Sequence, residues 1–247
     1  MSSPKVLLAC PTSEAKEYCQ EDWIRNVKGF SYPKDRFDIM LVDNSPTDKN
    51  YKKISSYGIK AHWLKPKHGM GVIEKLALSH EFIRQFALKA GYNALFHLES
   101  DVFPYIGDEE ENGKPVFKRD IIQRLLSANK PVVNGMYDIN HGSKRELGIL
   151  EQSEGDSFSG TYKIERDEIN LVNGSVQPIH HAGLGCAMIK SAVLEKIKFR
   201  FVRGVNAFPD IWFAQDLYTN GIANYVDTSI ICQHRNTQWG VMGIDVK

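Results

Sequence analysis

The chain has 247 residues, enough for one large domain with a substantial core. Hydrophobic residues make up 42% and charged residues 25%, an ordinary soluble composition. Lys plus Arg is 31 against 30 for Asp plus Glu, so no global field steers the chain to nucleic acid or an anionic membrane.

The apolar run Lys5–Cys10 reads as a first strand. It is too short for the apolar core of a signal peptide, roughly 7–15 residues, and Pro11-Thr12 follows at once. Glu14–Val27 has helical character. Phe37–Ser45, "FDIMLVDNS", is a second apolar run ending in a polar turn. A short helix over Asp48–Tyr57, a strand over Ile59–Leu64 and a helix over Val72–Ala90 follow, the last with apolar residues at helical spacing. Ala94–Leu98 is a strand, Lys118–Ser127 a helix and Pro131–Tyr137 a strand. Asp138–Val176 is polar and reads as a loop or hairpin insertion. "VQPIHHAGLGCAMIKSAVLEKI" gives a strand, a glycine-rich bend, a strand and a helix. "KIKFRFVR" alternates basic and apolar residues, as a strand with one solvated face does, and could grip an anionic acceptor. "FPDIWFAQDLYTNGI" is a helix stopping at Asn220-Gly221. "ANYVDTSIICQH" is an apolar strand running into His234.

Strand-helix alternation with near-continuous apolar strands predicts an α/β fold. A mostly parallel sheet would carry helices on both faces, with ligands beyond the carboxyl ends of the strands. Those ends carry Pro11-Thr12, Asp43-Asn44-Ser45 and Glu99-Ser100-Asp101. Side chains at i and i+2 of an extended segment point the same way, so Glu99 and Asp101 can address one cation. Asp101 would bind it directly, and Glu99 would reach it through water or bind a ribose. Four scattered cysteines with no C-x-x-C pair argue against a zinc knuckle and for a reducing compartment. No segment approaches the ~20 apolar residues of a membrane span. The expected setting is soluble and cytoplasmic.

Four segments in order resemble the GT-A fold of nucleotide-sugar glycosyltransferases, family 2 and its neighbours, over roughly Lys5–Arg235. "LVDNS" is similar to the second-strand acid holding base or ribose. "HLESD" is similar to the D-x-D metal motif, with Glu for its first Asp. "HHAGLGCAMIKSAVLEKI" is similar to the acceptor-side glycine segment. "FPDIWFAQDLYTNGI…YVDTSIICQH" is similar to the helix with the catalytic acid and the strand leading to a metal-binding His. Here Pro209-Asp210 stands where the family has Glu-Asp.

The resemblance implies one GT-A domain, a Rossmann-like sheet with a smaller acceptor-side antiparallel region. Residues 1–137 would form the nucleotide-sugar half and 138–247 the acceptor and catalytic half. It implies a hexosyl- or pentosyltransferase moving sugar from a UDP- or GDP-sugar to a hydroxyl of a glycan or other acceptor, nucleic acid included. Mn²⁺ or Mg²⁺ would sit on Asp101, Glu99 and His234. On spacing alone, His234 reads rather as a buried, hydrogen-bonded core residue, and it is the resemblance that makes it a ligand. Asp210 would be the general base of an inverting transfer, with Asp216, six residues on, as its backup. Pro11, Thr12, Asp43, Glu99 and Ser100 would contact the nucleotide, and Lys75 and Arg235 are candidates for its diphosphate. His181 could touch acceptor or diphosphate, and Trp212 and Trp239 could stack on a sugar or simply pack. Two other readings stand beside this one: a retaining transferase of the same fold, in which Asp210 orients, and a non-catalytic sugar-nucleotide or glycan-binding module.

Overall fold

The structure is a computed structural model and describes residues 3–111, 114–117, 119–141, 144–147, 149–152, 161–163 and 174–235. The first half alternates as its pattern demands. Strand β1 (Val6–Thr12) is buried along its whole length. Then come α1 (Glu17–Lys28), β2 (Phe37–Asp43), α2 (Lys49–Ser56), β3 (Lys60–Trp63), α3 (Val72–Lys89) and β4 (Ala94–Leu98). β3, β2, β1 and β4 lie side by side and run parallel. A strand covered on both faces must be apolar on both faces, which is why β1 and β4 read as continuous apolar runs.

The sheet continues past β4 with strands of both senses. These are β5 (Val102–Glu111), β6 (Lys114–Phe117), β7 (Val132–His141), β13 (Cys186–Lys190) and β14 (Asn224–His234), in the order β4-β13-β7-β14-β5-β6. Helix α4 (Ile121–Ser127) begins three residues later than its pattern suggested, and Lys118 lies outside the described residues. The polar stretch from Asp138 does form strands. β8 (Lys144–Leu147) folds back on β7, and β9 (Ile149–Gln152), β10 (Thr161–Lys163) and β12 (His181–Ala182) make a small antiparallel sheet. β11 (Val176–Ile179) pairs with the start of β14.

Helices cover both faces. Trp23 and Val27 of α1 pack with Ile121 and Leu125 of α4 on one side. Ile83 and Ala87 of α3 pack with Leu194 of α5 (Ser191–Lys196) and with Phe213 and Leu217 of α6 (Pro209–Thr219) on the other. Each fully buried large side chain contributes roughly 1.5–3 kcal/mol. Pro209 opens α6, where its missing N–H costs nothing, and Gly221 at φ +64° follows its end.

"KIKFRFVR" is not a strand. Residues 197–208 form an irregular segment pinned between helices: Phe199 stacks on Phe213, and its N–H donates to Glu81 on α3.

Candidate active site

Strand direction brings the site together. β13 runs antiparallel to both β4 and β7, and β14 runs parallel to β7. The carboxyl ends of β1, β2, β4, β7 and β14 therefore share one edge. Thr12, Asp43, Glu99 and His234 stand at or just beyond those ends, and Tyr137 lies four residues before the end of β7.

Glu99-Ser100-Asp101 is a tight turn and not an extended segment. The Val102 N–H closes back on the Glu99 carbonyl at 2.9 Å, and β5 leaves at once. The turn is pinned on all sides. Ser100 Oγ meets Thr12 Oγ1 at 3.1 Å, Cys19 Sγ donates to the Ser100 carbonyl at 3.3 Å, and the Arg235 N–H donates to the Asp101 carbonyl at 2.9 Å. The two carboxylates are thus brought together by the turn, and His234 joins them from β14. Ligand atoms of Glu99, Asp101 and His234 all lie within 4.8 Å of one another. His234 Nε2 is 3.5 Å from Asp101 Oδ2, and the Lys16 ammonium makes an ion pair with that same oxygen. Asp101 Oδ1 is buried with no hydrogen-bond partner among the described residues. The two carboxylates are the hard oxygen donors that Mn²⁺ or Mg²⁺ prefers, the imidazole is a donor that transition-metal ions accept, and the unpartnered Oδ1 leaves a lone pair for a cation. The trio fits a divalent cation.

The electrostatics follow from enclosure. Burial alone would raise the Asp101 carboxyl, but Lys16 and His234 outweigh it and hold it well below the usual carboxylate range. Glu99 goes the other way: burial and the Asp101 charge raise it against the pull of Lys16. His234 loses to burial but is raised overall by Asp101.

Asp43, wholly buried, closes the edge at β2. Its Oδ1 accepts from Ser45 N–H, Ser45 Oγ and Asn50 Nδ2 at 3.2, 2.6 and 2.9 Å. Its Oδ2 has no partner among the described residues. The turn-forming role of Asp43 and a buried, unused acceptor oxygen thus coexist. Pro11 is buried in register with Val42.

Asp210 sits in the first turn of α6, where the helix dipole favours a negative charge. Its Oδ1 accepts from the Ile211 N–H at 2.9 Å, and its Oδ2 lies 4.0 Å from His181 Nε2. Burial raises its pKa to about 6 against that backbone bond. His181 is pushed down to about 4 by burial and its neighbour His180, so it is neutral where Asp210 is ionised. Between Asp210 and the acidic turn stands Tyr137. Its ring meets that of His234 edge-on at 5.4 Å, and its hydroxyl accepts from the Gly185 N–H at 3.1 Å. Burial and the charges of Glu99 and Asp210 raise that phenol well above its ordinary value. The glycines of "AGLGCA" exist for this ring. A Cβ on Gly183 would stand 2.1 Å from Tyr137 Oη, and one on Gly185 would stand 2.5 Å from its ring.

Other candidates are placed elsewhere or otherwise engaged. Lys75 lies in the first turn of α3, half-buried. Arg235 donates to Asp22 Oδ2 at 3.0 Å and stacks on Phe103 at 4.0 Å, so its guanidinium is committed to α1 and β5. Asp216 accepts two bonds of 2.8 Å from Arg200, which itself stacks on Trp212 at 4.4 Å. Asp216 and Trp212 therefore anchor the 197–208 segment to α6. Trp239 lies outside the described residues. Lys16 and Tyr137 were not singled out from sequence. Tyr137 lies within β7, whose direction, once known, carries it toward the ligand edge. Lys16 carried no motif beyond its place just after the first strand.

No family model and no curated protein matches the sequence. Solved structures do. One is GalNAc-T7 with UDP, GalNAc and Mn²⁺: TM-score 0.61, 10% identity, 94% of this chain and 44% of that one. Another is TarS 1-349 from S. aureus in complex with UDP-GlcNAc: TM-score 0.55, 14% identity, 94% of this chain and 59% of that one. The fold is the GT-A fold of glycosyltransferases. The chain spans only about half the length of these GT-A proteins. Among its described residues, no helix is long and apolar enough to cross a membrane.

Proposed function

We propose that the chain is a nucleotide-sugar-dependent glycosyltransferase that uses a divalent cation and inverts at the anomeric carbon. The observation that carries this is the convergence of Glu99, Asp101 and His234 at the ligand edge of a GT-A sheet, with Asp210 across Tyr137 from them. A diphosphate leaving group gathers negative charge as the glycosidic bond breaks; Asp101, Glu99 and His234 would hold Mn²⁺ or Mg²⁺, which would supply Lewis-acid neutralisation there. Asp43, through its unpartnered oxygen, would accept from the ribose or base, with Pro11, Thr12 and Ser100 lining the nucleotide. Lys75 would reach the diphosphate from the start of α3. Arg235 would act through the acidic turn whose backbone it holds. UDP in the GalNAc-T7 structure and UDP-GlcNAc in that of TarS favour a UDP-sugar over a GDP-sugar.

Asp210 takes the proton of the acceptor hydroxyl. A carboxylate near pKa 6 is ionised at neutral pH yet basic enough to accept, which is the range a general base needs. The Ile211 N–H orients it. Asp216, tied up by Arg200, is a poorer base. Residues 1–137 would hold the donor, and 138–247 would supply the base and receive the acceptor. All four cysteines are buried, and a reducing, cytoplasmic setting is part of this reading.

The test is product analysis. The protein with Mn²⁺ and a panel of UDP- and GDP-sugars should release nucleoside diphosphate, and Asp210→Asn should lose that release while still binding donor. The anomeric configuration of a transferred sugar, read by NMR, should be opposite to that of the donor. Retention would return Asp210 to an orienting role, and donor binding without turnover on any acceptor would favour a binding module.

A further inference from the structure

We propose that Lys16 is the resident cation of the acidic site. Its ammonium sits on Asp101 Oδ2, beside the Oδ1 left for a divalent ion, so Lys16 sets by its charge how tightly metal binds. The inference rests on reading Glu99, Asp101 and His234 as a metal site. Lys16 closes a short 3-10 turn, Glu14–Lys16, wedged between the ends of two strands. The turn is fixed at both ends, since the Lys16 N–H donates to the Ser13 carbonyl at 2.9 Å and the Glu14 N–H donates to Ser45 Oγ at 2.8 Å. From that base the side chain runs inward, only 19% exposed, to an ion pair with Asp101 Oδ2. His234 Nε2 approaches the same oxygen at 3.5 Å. The geometry leaves little choice. Two carboxylates enclosed one residue apart need a positive partner, because a buried uncompensated charge is strongly unfavourable. Lys16 supplies it without any metal.

A divalent ion on Asp101 and Glu99 would stand beside the ammonium, and two cations in one enclosed pocket repel strongly. The ammonium on Oδ2 therefore opposes a divalent ion on Oδ1 by charge, without having to leave its carboxylate. Lys16 thus keeps the site charge-balanced when empty and weakens its grip on free metal. A nucleotide diphosphate, bringing its own negative charge, would relieve that competition.

The experiment titrates Mn²⁺ alone into nucleotide-free protein, following the signal of the free ion by electron paramagnetic resonance. Wild type, Lys16→Met, Asp101→Asn and the double variant are compared, with Lys16→Gln in reserve should Lys16→Met not fold. Removing the competing charge should tighten Mn²⁺ binding about tenfold or more, and the gain should vanish in the double variant. Equal or weaker affinity in Lys16→Met and Lys16→Gln, with Asp101→Asn still weakening wild type, overturns the role of Lys16 and leaves the metal site standing. Binding that ignores Asp101 in every variant removes the metal site and this inference with it.

Discussion

Replacing Asp210 by Asn should make the protein more stable and inactive at once. The folded carboxyl has a pKa of about 6 against 3.8 unperturbed, a rise of a little over two units caused by burial. Below pH 3.8 the folded and unfolded chains both carry the proton, and the stability gap between wild type and Asp210→Asn is constant. As pH climbs from there to about 6, the unfolded chain has lost its proton while the folded one keeps it, so wild type loses stability relative to the amide. At about 1.4 kcal/mol per unit, the ceiling is about 3 kcal/mol above pH 7. The side chain is 28% exposed, and water screening reduces the expectation to about 1–2 kcal/mol. His181 does not offset this, being neutral above its own value of about 4. Urea unfolding of both proteins from pH 4 to 8 reads the gap directly. In parallel, kcat/KM of wild type should rise through about pH 6 and level off. A stability gap flat across that range would refute the claim that Asp210 is a strained, burial-raised carboxylate.

Gly185→Ala should be worse than an ordinary glycine substitution. Its Cβ would meet the Tyr137 ring at 2.5 Å, so overpacking of about 1–3 kcal/mol in urea unfolding should accompany a fall in kcat as the ring is driven from its place beside His234. Asp101→Asn strips Lys16 and His234 of their carboxylate, and the folded protein should lose roughly 2–4 kcal/mol at neutral pH. Because that carboxyl is depressed, its contribution is present above the ordinary Asp value and fades as pH falls, so the variant's deficit should shrink in acid. Asp216→Asn should cost less than about 1 kcal/mol, its Arg200 partner being 39% exposed, and should leave kcat within a few-fold of wild type. A collapse of kcat there would make Asp216 the base.

Much of this was legible because strand direction and apolar continuity are local properties. The runs Lys5–Cys10, Phe37–Ser45 and Ala94–Leu98 announce buried parallel strands, and the rule for ligand edges then collects the polar residues at their ends. The strand into His234 was equally clear, but only the sheet shows that β14 runs parallel to β7 and so delivers His234 to the acidic turn. The two-residue spacing of Glu99 and Asp101 implies an extended segment, whereas the chain builds a turn there. Side-chain convergence came from the reversal at Val102 and not from the two-residue period. Lys196–Arg203 misled for a related reason. Alternation marks one buried face, and Ile197 and Phe199 are buried, but α3 and α6 bury them as irregular chain. Lys16 and Tyr137 act through partners far away in sequence, Asp101 and Gly185 respectively. No local pattern marks such a pairing.

Calorimetry of UDP-sugar binding, with and without Mn²⁺, on wild type and Asp101→Ala tests the central claim most directly. Binding that requires Mn²⁺ in wild type and disappears in Asp101→Ala is the predicted result. UDP-sugar binding with equal affinity in the absence of metal and in the variant would contradict a metal-held diphosphate at this edge.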